Sequence, residues 1–528
     1  MRRCIGFLSA AMLLASPALA QHEHHGGGEA LGRVSFPTSC ASAVQADMDR
    51  AAAMLHSFWF PEAHKAFDTI AAADPGCAMA HWGVAMTLWS NPFVRQPIPA
   101  ARQREGLAAA ERALALAPKA THRERMYIEA AAALWQDADT LDHIARAARH
   151  EEKMKALYEA HPEDPEAAMF YARAIIANAP PTDLEFKRQL YAATLLEPLF
   201  EKQPDHPGLA HYIIHTFDAP NLAKHGLTAA RRYAAIAPSA PHALHMPSHI
   251  FTRLGYWEES IETNRRSAAA QPDSNDAPHP NDYRVYALLQ LGRDAEARGV
   301  IARAGEPADR YYGDILGYNA VAMPARYALE RSAWTEAASL AVPARGAPFV
   351  LAIPRFARAV GAARTGNTAQ AKVDLEALAA LRDSLKMRND VYWATMVEAQ
   401  RLAASAWVAR AGGRSDEALR LARAGAELEE SVEKHPITPG PLLPARELEG
   451  DLLLELGRPA DALRAYEMTL TREPGRARAR FGAARAAEKA GRRAVAREHY
   501  QELSRLMKRA DPSRAEARIA REYLSRGG

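Results

Sequence analysis

Two stretches near the end of this chain repeat one another at a fixed distance. Leu456-Gly457-Arg458-Pro459-Ala460-Asp461-Ala462 returns 34 residues later as Ala490-Gly491-Arg492-Arg493-Ala494, and Tyr466 returns as Tyr500. A period of this length marks supersecondary units that cannot bury their apolar face alone and must stack on their neighbours. Between the turn signals the chain is dominated by Ala, Leu, Glu and Arg, all good helix formers. No alternating strand pattern or Asn-Gly hairpin signal interrupts them. The repeating unit is therefore a helical hairpin, and the fold class is all-α: a solenoid, in one superhelix or two halves.

The same grammar runs more loosely through the first half. Phe58-Trp59-Phe60-Pro61-Glu62-Ala63 opens a helix that Asp74-Pro75 ends, and Ala80-His81-Trp82-Gly83 then starts the next repeat. Further turns are marked by Leu254-Gly255, Leu291-Gly292 and Gly366-Asn367. Because each repeat extends one continuous core, length does not count domains here. The expected organisation is a leader over 1–20, a His/Gly-rich tail and entry segment over 21–44, and a repeat array over 45–305. A second helical-hairpin array follows over 306–434, then a proline-rich segment over 435–444, a repeat pair over 445–510 and a terminal helix or tail over 511–528. The segment His435-Pro-Ile-Thr-Pro-Gly-Pro-Leu-Leu-Pro444 cannot be helical throughout. It reads either as a linker or as an ordered loop that shapes a site.

Eight of the 20 histidines fall between His206 and His279. Three segments there open alike: Pro207-Gly-Leu-Ala-His211-Tyr-Ile-Ile-His215, Pro241-His-Ala-Leu-His245-Met-Pro-Ser-His249 and Pro278-His-Pro-Asn-Asp282-Tyr-Arg-Val-Tyr286. Pro207 and Pro241 are 34 residues apart, so His211 matches His245 and His215 matches His249 in successive repeats. Within each pair the i, i+4 spacing puts two imidazoles on one helical face. His211, His215, His245 and His249 are thus the candidate ligands of one metal ion between stacked repeats. His242, His279, Asp282 and Asp218 are candidate additional ligands or groups that orient a ligand. Neutral imidazole suits Zn, Cu, Fe or Ni and does not choose among them. The competing reading is a set of buried histidines bonded to carbonyls and carboxylates. His22, His24 and His25 form a separate short tract that can bind such metals loosely.

Arg2 and Arg3, an apolar run from Ile5 to Ala15, and Ala18-Leu19-Ala20 make a secretory leader. The run is short for a membrane span and no later one is long enough, so the expected location is secreted, in a Gram-negative periplasm. Beyond Cys4, Cys40 and Cys77 remain, and an oxidising compartment favours a disulfide between them. Closing a loop of this size contributes about 3–4 kcal/mol in the chain-entropy model. Formal charge is +3, or +1 without Arg2 and Arg3, which gives no electrostatic footprint for nucleic acid. The arginines between Arg472 and Arg493, with glutamates interleaved, read as a solvated helical face, or else as a contact for an anionic surface.

With the repeats laid out, the chain resembles exported bacterial tetratricopeptide-repeat (TPR) proteins. Small residues at the helix crossings and Pro474 after a second helix fit the repeat, while residues 241–251 and 434–447 are the more specific landmarks. The resemblance implies a TPR-type right-handed superhelix whose concave groove binds a protein or peptide partner. The functional expectation is accordingly a periplasmic scaffold with a histidine-ligated metal; the alternative is a metal-dependent redox or hydrolytic enzyme on the same solenoid, with Asp282 or Glu258 assisting.

Overall fold

The computed structural model describes residues 29–271, 277–304 and 315–526. The leader, Cys4 and the tail histidines His22, His24 and His25 lie outside them. Among the described residues every regular element is a helix, from Gln45–His56 to Ala515–Ser525. Neighbours in sequence pack as antiparallel hairpins: Phe60–Ala73 with Ala78–Trp89, Trp257–Ala270 with Pro278–Gln290, and Val391–Ala411 with Ser415–Glu430. At the end, Ala445–Glu455 pairs with Pro459–Arg472, and Ala477–Lys489 with Arg493–Leu506.

The turn glycines and the crossing glycines serve different ends. Gly457 and Gly491 adopt φ of 71° and 74°, the left-handed conformation that closes a helix, and a Cβ at either would meet nothing within 4 Å. Gly482 is needed for space instead. A Cβ there would stand 2.3 Å from the ring of Tyr466, which fills the crossing of three helices.

The first half is built around an aromatic knot. Phe36 reaches from the extended entry segment to Trp82 (5.2 Å between centroids) and Tyr127 (5.4 Å), while Phe170 meets Trp82 at 5.6 Å. Trp82 is therefore a core residue. A disulfide joins Cys40 to Cys77 and ties the entry segment to helix Ala78–Trp89. Farther back, Arg33 donates its amide to the Asp205 carbonyl at 3.0 Å.

Residues 435–444 are an ordered, largely buried loop. Prolines prevent this backbone from satisfying its own carbonyls in a helix. The surrounding helices supply the donors: Arg326 to the carbonyls of Gly440 (2.8 Å) and Pro441 (2.7 Å), Asn319 to Ile437 (2.9 Å), and Tyr283 to Pro436 and Thr438 (3.1 Å each). The loop occupies the interior between the first array and the C-terminal hairpins.

Those hairpins close back on the middle of the chain. Trp257 Nε1 donates to the Gly475 carbonyl at 3.0 Å, and Asp511 donates its amide to the Gly292 carbonyl at 2.9 Å. Part of the arginine-rich stretch differs from the solvated face its sequence suggests. Arg476 is fully buried between Glu447 (2.6 Å) and Glu330 (2.7 Å), and Arg478 pairs with Glu447 and Asp451. The interleaved charges meet partners from distant helices.

Candidate metal centre

Three helices that each begin with proline lie side by side: Pro207–Thr216, the broken helix Pro241–His245 and Pro247–Leu254, and Pro278–Gln290. Proline suits the first helical position, where no amide is required. Pro247 is different, because it removes an amide within the second helix. The chain passes the gap with Met246 N bonded to the His242 carbonyl at 3.0 Å and His249 N to the Met246 carbonyl at 3.1 Å.

Six histidines line this seam, in two groups of three. His211, His215 and His242 offer one ring nitrogen each, all within 4.8 Å of one another; His245, His249 and His279 do the same. The four histidines matched by repeat register are therefore divided between two groups. The reason is a diagonal offset. The residue four positions after the first proline faces the residue one position after the next proline, so His211 meets His242 (4.9 Å between centroids) and His245 meets His279 (4.3 Å). The i+4 partners follow, with His211–His215 at 4.9 Å and His245–His249 at 5.0 Å.

The outward-facing nitrogens determine what the inward-facing ones can do. His249 Nδ1 donates to Asp218 Oδ2 at 2.8 Å. His245 Nδ1 donates to Asn264 Oδ1 at 2.6 Å, and Asn264 is oriented by its own donation to the Ser260 carbonyl at 2.7 Å. With both Nδ1 atoms protonated, neutral His245 and His249 present bare Nε2 lone pairs to one another at 3.0 Å. His211 Nδ1 likewise donates to the His56 carbonyl at 2.6 Å, leaving its Nε2 3.1 Å from His242 Nε2. Each group also contains a buried ring nitrogen without a hydrogen-bond partner, His215 Nε2 in the first and His279 Nδ1 in the second.

Burial, reinforced by the neighbouring imidazoles, holds His211, His215, His242, His245 and His279 well below the usual histidine pKa. Burial also lowers His249, against the pull of Asp218. Neutral imidazoles are the ligating form. Burial works against the Asp218 charge, but Lys434 (3.0 Å) and Arg253 (2.9 Å) keep it ionised.

Asp282 lies elsewhere, although its register matches His245. It pairs with buried Arg326 at 2.8 Å and accepts from Asn319 at 3.1 Å, on the side of the proline-rich loop. Glu258 is an exposed partner of Arg293 at 2.9 Å. Tyr286 hydrogen-bonds to Arg476 at 3.2 Å, outside the histidine seam.

A buried trio that the sequence reading does not single out lies next to the cluster. Glu166 accepts from His56 Nε2 at 2.8 Å and from His206 Nε2 at 2.9 Å. His206 Nδ1 accepts from the Gly208 amide, and His56 Nδ1 meets Tyr212 OH at 2.9 Å. Its hydrogen bonds are complete, so it is a structural staple. The available signal was positional, since Glu166 directly follows Pro165 as His242 follows Pro241.

Beside the first group is a cavity of about 790 Å³. His215 and Asp218 form part of its wall, together with Phe93, Phe186, Trp393 and Lys434. Phe93 packs 4.1 Å from the His215 ring.

A tetratricopeptide-repeat family model matches residues 448–515. Among the described residues the chain is all-helical and built of stacked antiparallel hairpins. Its C-terminal hairpins carry that repeat directly, and the first half has the same hairpin build. No curated protein matches. Among solved structures, the APC/C hetero-tetramer Cut9–Hcn1 is 14% identical, over 92% of this chain and 96% of that one, with a TM-score of 0.32. The human IFIT1 dimer with PPP-AAAA is 11% identical over 86% and 89%, with a TM-score of 0.38. The P58(IPK) TPR domain is 12% identical over 92% and 99%, with a TM-score of 0.21. No helix among the described residues is long and apolar enough to cross a membrane.

Proposed function

We propose that this TPR-type protein is an exported, periplasmic scaffold that holds a late first-row transition metal in its histidine seam and binds a protein or peptide partner. The observation that carries the metal reading is the His245–His249 pair. Two bare imidazole lone pairs 3.0 Å apart repel unless a cation lies between them, and nitrogens bound at about 2.0–2.1 Å to one ion are separated by about this much. A shared proton would also relieve the repulsion, but burial disfavours a charged imidazole here. The neighbouring His56, Glu166 and His206 make the contrast: their hydrogen bonds are complete, and no two bare ring nitrogens face one another there.

The disulfide fits an oxidising compartment, as does the leader read in residues 1–20. Partner binding rests on the helical-repeat build, whose hairpins present an extended surface. The proline-rich loop fills much of the interior, so the partner would enter at the open cavity beside His215.

Metal content measured by mass spectrometry on tag-free mature protein, after exposure to Zn, Cu, Fe and Ni, tests the reading. Wild type is expected to retain tightly held metal, and His245→Ala/His249→Ala to lose the ion held by that pair while keeping its helical circular dichroism. Absence of metal from wild type under every condition would overturn the metal centre.

A further inference from the structure

The two histidine groups are copies of one constellation displaced by one repeat. Each uses the fourth and eighth residues after the opening proline of one helix and the first residue after the opening proline of the next. That recipe gives His211, His215 and His242, then His245, His249 and His279. Where half of the recipe is missing, no group of three histidines forms among the described residues. After Pro165 the fourth and eighth positions are Met169 and Arg173, and after Pro278 they are Asp282 and Tyr286. Each complete copy supplies three neutral imidazoles, one of them with an orphaned buried nitrogen. The copies abut, with 5.6 Å between the His215 and His249 rings and 6.0 Å between those of His242 and His245.

The copies differ in access. His215 is part of the wall of the 790 Å³ cavity, whereas His245, His249 and His279 are not. His245 and His249 are 1% and 2% exposed, His279 is half-buried, and Tyr283 packs within 5.3 Å of all three rings of that group. Three nitrogen ligands leave one position of a four-coordinate ion vacant. Six neutral imidazoles also contribute no charge, so two dications would leave net positive charge facing the cavity, where an anion is the natural complement.

We infer that the seam holds two metal ions, one in each group, and that the ion bound by His211, His215 and His242 takes a small anionic donor from the cavity while the ion bound by His245, His249 and His279 is closed to it. This rests on the metal reading above and deepens it from one site to an adjacent pair with one exchangeable position.

Cobalt(II) titration of metal-free full-length protein, followed by azide, tests both parts. Wild type should bind two equivalents, and azide should shift the visible bands of one. His242→Ala should bind one equivalent insensitive to azide; His279→Ala should bind one equivalent that responds. The wild-type stoichiometry and azide response stand without either variant, so a variant that misfolds by circular dichroism does not remove the test. One equivalent in wild type would overturn the paired site and leave the single-metal reading intact. No cobalt, zinc or copper bound would overturn both. Azide shifting both ions, or neither, would overturn the assignment of open and closed sites.

Discussion

An imidazole ligates through a nitrogen that carries no proton, so the group bonded to its other nitrogen determines whether it is ready. Asn264 has that role for His245, and the Ser260 carbonyl prevents its amide from turning round. Removing the acceptor frees His245 to carry its proton on Nε2. Asn264→Leu is therefore expected to weaken metal binding by about 10–100-fold. Competition against a chromophoric chelator reads this directly; unchanged affinity would show that Asn264 does not set the tautomer. At this scale the sequence was informative but incomplete. His211, His215, His245 and His249 stand out by spacing, and His242 and His279 by matching one another after their prolines. What spacing omits is the diagonal offset between helices, which pairs the fourth position of one repeat with the first of the next. For the same reason Asp282, aligned in register with His245, belongs to Arg326 instead.

Helix identity was the most legible level, because a 34-residue period and glycine turns are local signals. The loop over 435–444 was half legible. Its prolines rule out a helix, but only the donors from Arg326, Tyr283 and Asn319, more than 110 residues away, make it an ordered insert. One junction beside it has a pH dependence. Glu429, on helix Ser415–Glu430, accepts the amide of Ala445 at 2.9 Å, at the start of helix Ala445–Glu455. Burial raises its pKa to about 7, with Glu430 adding to the rise and the Ala445 amide, Arg472 and Arg476 opposing it. A carboxyl raised in the folded state stabilises fully below its unfolded pKa, and that contribution is lost as pH rises through about 7. The loss is at most on the order of 3–4 kcal/mol. Glu429→Gln keeps the acceptor without the charge, so its urea midpoint should rise relative to wild type between pH 5 and pH 8. An equal change in both proteins would place the pH dependence elsewhere.

Closure of the molecule was the least legible feature, since its contacts join residues roughly 200 positions apart and leave no periodic trace. Arg514 is the most connected of them. It is 5% exposed and donates to Asp294 (3.0 Å), the Leu289 carbonyl (3.1 Å) and the Glu330 carbonyl (3.2 Å), fixing the start of helix Ala515–Ser525 against the middle of the chain. Arg514→Met retains much of the stem but removes every donor. Among the described residues Asp294 then keeps only Arg331, at 3.9 Å, as an ion-pair partner, and two carbonyls lose a partner. Breaking a buried pair from one side costs about 3–5 kcal/mol, and undocking the last helix offers a cheaper escape than unfolding the array. The expected result is early tryptic cleavage between Lys508 and Arg518 with the remaining array intact. Metal content should be unchanged, because the histidine seam shares no residue with this junction. Wild-type protease resistance in Arg514→Met would mean that apolar packing of Leu506, Ala510 and Tyr523 holds the seam closed without the ion pair. Loss of metal together with loss of the terminal helix would instead mean that closure and the metal centre form one cooperative unit.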